Sequence, residues 1–163
     1  MVPENMHLLE FIKDSPLSQD LTATDCEVLE NIMGLRHLDA GEVVIREGET
    51  DQTVYLVAQG RVRVVQEAAV GEPLLLHVLG PGGLCGEMGF VDGAPHSATL
   101  IAEHDSVLLS LERASFESLI ETHPHVVYHV MRAIIRLGHA VLKRMNQHHL
   151  EMNNYITQTR GRY

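Results

Sequence analysis

The sequence contains no tryptophan, and aromatic residues fill only 4% of its 163 positions. Its core is therefore aliphatic, and a groove that stacks bases on aromatic rings is disfavoured. Cysteine is scarce too. Cys26 and Cys85 show neither C-x-x-C spacing nor the density of a secreted disulfide framework, which fits a reducing cytoplasm. Positive charge is in short supply, with 12 Lys and Arg against 22 Asp and Glu, for a formal net charge of −10. Duplex DNA binding needs cations that displace condensed counterions, so DNA is not expected as a partner. No apolar run approaches the ~20 residues of a membrane span, and Met1 to Asp14 is acidic where a secretory signal begins basic. Neither export nor membrane anchoring is expected. What the chain does have is 45% hydrophobic residues, enough at this length for one domain burying about two thirds of its unfolded surface.

Leu8, Leu9, Phe11 and Ile12 surround one helical turn, which predicts a short helix over Met6 to Lys13, ended by Ser15-Pro16. Thr24 followed three residues later by Glu27 reads as a capping box for a second helix. Val28, Leu29, Ile32 and Met33 form its stripe and Gly34 its stop, giving an N-terminal helical segment over 1–34. From Leu35 the period shortens to two or to brief apolar runs. Strands are predicted at Val43 to Ile45, Val54 to Val57, Val62 to Val65, Leu74 to Leu79, Ala98 to Ala102 and Val107 to Leu111, with glycines between them. Such spacing over 35–112, without βαβ alternation, indicates a mainly β fold, an antiparallel roll or barrel with flanking helices.

Helical spacing returns at Ser115 and pauses at Pro124. It then runs without a turn cluster to about Asn153, so 113–153 is a C-terminal helical unit and 154–163 a loose polar tail. The long helix carries two adjoining apolar stripes, Val127, Val130, Ile134, Leu137 and Val141 beside Met131, Ile135, Gly138, Leu142 and Met145. One stripe can cover the roll. The other is left over, and the reading is a homodimer formed through this helix.

The densest feature runs from Gly80 to Thr99, Gly-Pro-Gly-Gly-Leu-Cys-Gly-Glu-Met-Gly-Phe-Val-Asp-Gly-Ala-Pro-His-Ser-Ala-Thr. A strand ending at Cys85-Gly86 and turning into one helical turn at Glu87 to Val91 aims unpaired backbone N–H groups at one point, which makes an anion cradle. A carboxylate there, Glu87, would repel a bare phosphate. It suits a ligand that also offers a hydroxyl donor, as a ribose does. Phosphate and sugar hydroxyl on one compact ligand describe a nucleotide.

With Pro16-Leu17, Gly41-Glu42-Val43-Val44-Ile45, Glu47-Gly48-Glu49, Tyr55-Leu56-Val57 and this cassette over 82–99, the sequence resembles the cyclic-nucleotide-binding domain family over nearly its whole length. That family includes bacterial catabolite activators and protein kinase A regulatory subunits. The resemblance implies a jelly-roll-like double-stranded β-helix with N-terminal helices and a long C-terminal helix, and cAMP or cGMP as ligand. It implies that the amides of Gly86, Glu87 and Met88 face the cyclic phosphate. Glu87 would accept from the ribose 2′-OH, and Ser97 would add a phosphate contact. The base would lie against Val64, Leu76, His77 and Leu79, with the helix near Arg144 closing over it.

His96 departs from the family pattern, which has Arg after this Pro, a permanent cation whose planar fork grips phosphate. Histidine is shorter and mostly neutral at cytoplasmic pH. Losing a desolvated charge-assisted contact costs on the order of 2 to 4 kcal/mol, or about 30- to 1000-fold in affinity. Two readings follow: a sensor that binds a cyclic nucleotide or similar anion more weakly, and more tightly at acid pH, or a ligandless module that dimerises or engages a separate effector protein. The segment Val141 to Asn146 lacks the Ser or Thr that catabolite activators use on adenine, so base choice is unreadable. His123, His125 and His129 cluster near one helix start without a carboxylate to complete a metal geometry, so no metal is expected. Cys85 has no assignable base, and no catalytic residue or cofactor is expected. Beyond the long helix fewer than twenty polar residues remain, so the expectation is a free-standing domain without a helix-turn-helix.

Overall fold

The computed structural model describes residues 7–160; the expected helix start at Met6 and the last tail positions, 161–163, lie outside them. Helix α1 (Leu8–Asp14) buries Phe11 and Ile12, and the Ser15 hydroxyl donates to Ile12 O (2.7 Å) where Pro16 stops the helix. Helix α2 (Ala23–Glu30) does not use the expected Thr24–Glu27 box. Thr22 is the cap: its Oγ1 accepts from the Asp25 amide (3.2 Å) while Asp25 Oδ2 accepts from the Thr22 amide (3.0 Å). Two overlapping Thr-x-x-acid patterns compete here. The first also places Asp25 Oδ1 2.8 Å from His125 Nε2, a contact 100 residues away that no local pattern reveals.

Gly34 is not a helix stop either. Strand β1 (Met33–Leu38) contains it, paired with Ser110, and a Cβ there would lie 2.6 Å from Ser110 Oγ. Local spacing favours helix through Met33, but pairing with a central strand supplies six ladder positions and wins. There follow β2 (Val43–Ile45), β3 (Thr53–Gln59), β4 (Val62–Gln66), β5 (Leu74–Leu79), β6 (Leu84–Cys85), helix α3 (Glu87–Asp92), β7 (Thr99–Ala102), β8 (Ser106–Glu112), α4 (Arg113–Glu117) and α5 (Pro124–Arg160).

The strands form two antiparallel four-stranded sheets, β1-β8-β3-β6 and β2-β7-β4-β5, flanked by the helices. The period of two sorts side chains into two cores. Val54 and Leu56 of β3, with Val107, Leu109 and Leu111 of β8, face the helices. Tyr55 and Val57, with Leu108, Val62, Val64 and Leu79, fill the space between the sheets.

Pro124 opens α5 at its first position, where its missing N–H is not needed. Val126, Val130, Ala133 and Ile134 of α5 are buried against the helix-side core, with Val127 and Leu137 partly buried beside them. Arg136 Nη1 then donates to Asp20 Oδ2 (2.6 Å). The second stripe divides: Met131 packs against the same core, while Ile135, Leu142 and Met145 are exposed. The expected loose tail from 154 is helical through Arg160, because no Pro or Gly interrupts hydrogen bonding after Gly138 within the helix.

Candidate functional site

β6 pairs with β3 through Tyr55↔Cys85 and Leu56↔Leu84, which anchors the start of the cassette in the sheet. Gly86 then takes the left-handed conformation (φ +82°), and a Cβ there would lie 2.6 Å from the Thr53 carbonyl oxygen, so only glycine makes this turn. The first helical bond of α3 runs from the Phe90 amide to Gly86 O (3.1 Å). The amides of Glu87, Met88 and Gly89 therefore have no acceptor within the helix. At the far end Arg113 Nη1 donates to Val91 O (3.3 Å).

The other end of the cassette is clamped by backbone bonds. The His96 amide donates to Glu49 O (2.9 Å) and the Gly48 amide to His96 O (2.8 Å), while the Glu47 amide donates to Thr99 Oγ1 (2.9 Å). Glu47-Gly48-Glu49 was legible as a motif, but its role as the strap holding His96 was not.

The His96 side chain is 7% exposed, and its Nε2 is buried without a hydrogen-bond partner. It packs on α3: a Cβ at Gly89 would lie 3.0 Å from His96 Cε1 and 2.2 Å from the Asp51 carbonyl oxygen. Asp51 accepts from the Thr53 amide through Oδ1 (2.9 Å) and from Tyr55 Oη through Oδ2 (3.0 Å). Burial and the neighbouring Asp51 carboxylate together push the Tyr55 hydroxyl above its ordinary pKa. Gly89, not singled out in the sequence reading, is thus the position against which the imidazole packs, and the Asp51 carbonyl closes the same spot from the other side. Gly89 offered a signal as a second glycine inside a helical turn. Asp51 offered none.

The remaining expected residues separate into groups. Glu87 is half-buried, while Met88 and Ser97 are exposed, and Ser97 O accepts from Gln66 Nε2 (3.4 Å). Val64 and Leu79 are buried in the core between the sheets. His77 lies opposite Val64, but Leu75 lies opposite Val65, so Leu76 is an extra residue with no cross-strand partner and is 46% exposed. Burial, and then the Arg144 guanidinium, hold the His77 imidazole below its ordinary pKa against the opposing pull of Glu87. The roll edge, the cassette and α5 therefore meet electrostatically at His77. The Cys85 thiol is held far above its ordinary pKa by burial and by Glu87, and is not available as a thiolate.

Among the described residues no three His, Cys, Asp or Glu side chains converge to hold a metal ion, and no helix is long and apolar enough to cross a membrane. An open polar groove of about 520 Å³ runs along β1, β3 and β8, with Arg36, Thr53, Tyr55, Ser110 and Glu112 on its walls and no cassette residue among those lining it.

The architecture is a two-sheet antiparallel β-roll that presents a glycine-turned helical N-terminus between β6 and β7, with a long helix at the C-terminal side. Residues 35–123 match the family model described as the cyclic nucleotide-binding domain, and the chain belongs to that family. It is 32% identical over 125 residues to the cyclic AMP receptor protein of Thermus thermophilus, covering 77% of this chain and 58% of that one. It is 30% identical over 97 residues to lysophospholipase NTE1 of Chaetomium globosum, covering 60% of this chain and 6% of that enzyme. A cyclic nucleotide-binding domain from Methylobacillus flagellatus superposes with a TM-score of 0.78 at 22% identity, over 88% of this chain and 81% of that one, which shows the shared fold.

Proposed function

We propose that the chain is a regulatory sensor domain that binds a cyclic nucleotide, cAMP or cGMP, or a similar small anionic nucleotide, in the β6–α3 cassette. The observation that carries this reading is the set of three amides at Glu87, Met88 and Gly89 that find no acceptor within α3, behind the Gly86 turn and next to the Glu87 side chain. The amides of Gly86, Glu87 and Met88 hold the phosphate, and Glu87 accepts from the ribose 2′-OH. The exposed Ser97 hydroxyl adds a bond. His77 and Arg144 flank the base, with Val64 and Leu79 as the wall behind it and Leu76 at its rim. Occupancy is passed on through α5, whose exposed stripe pairs two copies into a homodimer and offers a surface to a separate effector.

The chain is regulatory rather than catalytic, and it works in the cytoplasm. The two buried free thiols and the net charge of −10 support that setting and disfavour DNA as partner. A second reading, a ligandless interaction module, is favoured by one observation: the buried Nε2 of His96 presents no donor to a phosphate until the imidazole moves.

Thermal denaturation with and without millimolar cAMP or cGMP separates the two. Stabilisation larger at pH 6 than at pH 8 is expected, because a bound anion favours the imidazolium form of a histidine. No shift with either nucleotide at either pH leaves the ligandless module. In His96→Arg, calorimetric titration is expected to show affinity raised by about 30- to 1000-fold. Absence of binding in that variant would show that the cradle is not a phosphate site.

A further inference from the structure

The face of the first sheet that looks toward the second changes character in one step. Arg36, Leu108 and Val57 share a ladder row, and Leu108 and Val57 are buried in the core between the sheets. The next row on that face is Gly34, Ser110 and Tyr55, and the one after it is Glu112 and Thr53. These two rows are the floor of the polar groove, and no strand of the second sheet lines it. Its sides come instead from Asn31 and Ile32 before β1 and from Ser115 and Ser118 at α4.

Gly34 keeps the floor open, since a Cβ there would fall on Ser110 Oγ at 2.6 Å. The Ser110 and Ser115 hydroxyls and the Glu112 carboxylate make no hydrogen bond or ion pair among the described residues. Tyr55 donates its hydroxyl proton to Asp51 Oδ2 (3.0 Å), which leaves the phenolic oxygen as an acceptor. Arg36 is held only by contacts of 3.5 Å, to Glu42 Oε1 and to the carbonyls of Val43 and Val44. The groove thus has a cation at one end, an anion at the other and hydroxyls between. Along β8 the Arg36 row and Glu112 are four residues apart, or about 14 Å.

That order of charges selects the occupant. A nucleotide would match Arg36 and bring nothing cationic to Glu112. A sugar would leave both charges unmatched, and the Tyr55 ring is too buried to stack on one. A single amino acid carries its two charged groups on one carbon and cannot span the floor. A short peptide offers a carboxylate at one end and an ammonium at the other. Between them its N–H and C=O groups alternate, which suits hydroxyls that both donate and accept. At 3.3–3.6 Å per extended residue, about four residues cover the distance.

We infer that this groove is a second binding site, separate from the cassette, for a peptide of about four residues with both ends free. Arg36 takes the carboxylate, Glu112 takes the ammonium, and Tyr55, Ser110 and Ser115 bond the backbone between them.

The test is nitrogen–proton correlation NMR of the full chain, titrated at about pH 7 with tetra-alanine and with its N-acetylated, C-amidated form, which keeps the backbone and removes both charges. Saturable shifts are expected at the amides of Gly34, Arg36, Thr53 and Ser110, with the blocked peptide bound at least ~10-fold more weakly. Arg36→Gln and Glu112→Gln are each expected to weaken free tetra-alanine about 10-fold. Both side chains lie at the surface, so each variant is expected to melt within about 2 °C of the parent. In Glu112→Gln, N-acetylation alone is expected to cost nothing further, because the charge it would leave unpaired is already gone. No saturable shift, or equal binding of the free and blocked peptides, overturns the inference and leaves the cassette reading standing. Shifts centred on residues 86–97 overturn it as well, by placing the peptide in the cassette.

Discussion

At Gly89 the cassette has no spare room. A methyl group there would sit 2.2 Å from a backbone oxygen and 3.0 Å from the His96 ring, and backbone yields far less readily than a side-chain tip. Gly89→Ala is therefore expected to cost about 2 kcal/mol, lowering the melting temperature by roughly 4 to 8 °C, with α3 displaced from Asp51. An unchanged melting temperature would mean that the Asp51 carbonyl moves freely, and His96 with it. The identity of the cassette residues was legible in the sequence, because Gly86, Glu87 and His96 occur at a spacing that chemistry constrains. The burial of the His96 ring was not, because the Glu49 carbonyl that holds its backbone reaches the cassette from another loop.

Among the elements, the strands with alternating or continuous apolar runs were readable, and β2 and β5 fall where the pattern puts them. β6 too was read, as the strand ending at Cys85-Gly86, although it is two residues long and held by β3. β1 was not: it contains Gly34, Arg36 and His37 and is held as a strand by β8. β5 raises a different question, because it lies at the edge of its sheet with Leu74, Leu75, Leu76 and Val78 all at least 37% exposed. An exposed apolar edge invites another strand, and the register shift at Leu76 breaks the ladder that such a strand would need. Deleting Leu76 is expected to restore a continuous edge and raise the aggregation rate in light scattering. A variant as soluble as the parent would show that the shift has no protective role.

For the molecule as a whole, two ionic contacts join the N-terminal helices to α5. Hydrogen bonding to Arg136 holds the Asp20 carboxyl below its ordinary pKa. Burial pushes the Asp25 carboxyl upward, but hydrogen bonds from Thr22 and His125 outweigh it and leave the pKa lowered. A carboxylate whose pKa is depressed on folding stabilises the fold above the unfolded value of about 3.9, and that contribution fades as pH falls through the folded value. Asp25→Asn is thus expected to melt several degrees below wild type at pH 7, with the two curves converging below about pH 4. A gap that does not narrow at all as pH falls below about 4 would mean that shape rather than charge is what Asp25 contributes.

These contacts end at Arg136, and Arg144 still acts on His77 of β5, while α5 continues for 16 residues beyond Arg144. At 1.5 Å per residue that last stretch of the shaft is about 24 Å long. A pivot of ~10° at Arg144 would carry its tip about 4 Å sideways. The molecule is built as a lever whose inner arm lies against the roll and whose outer arm stands in solvent, so a small rearrangement beside β5 and β6 would be read out at the far end as a larger displacement.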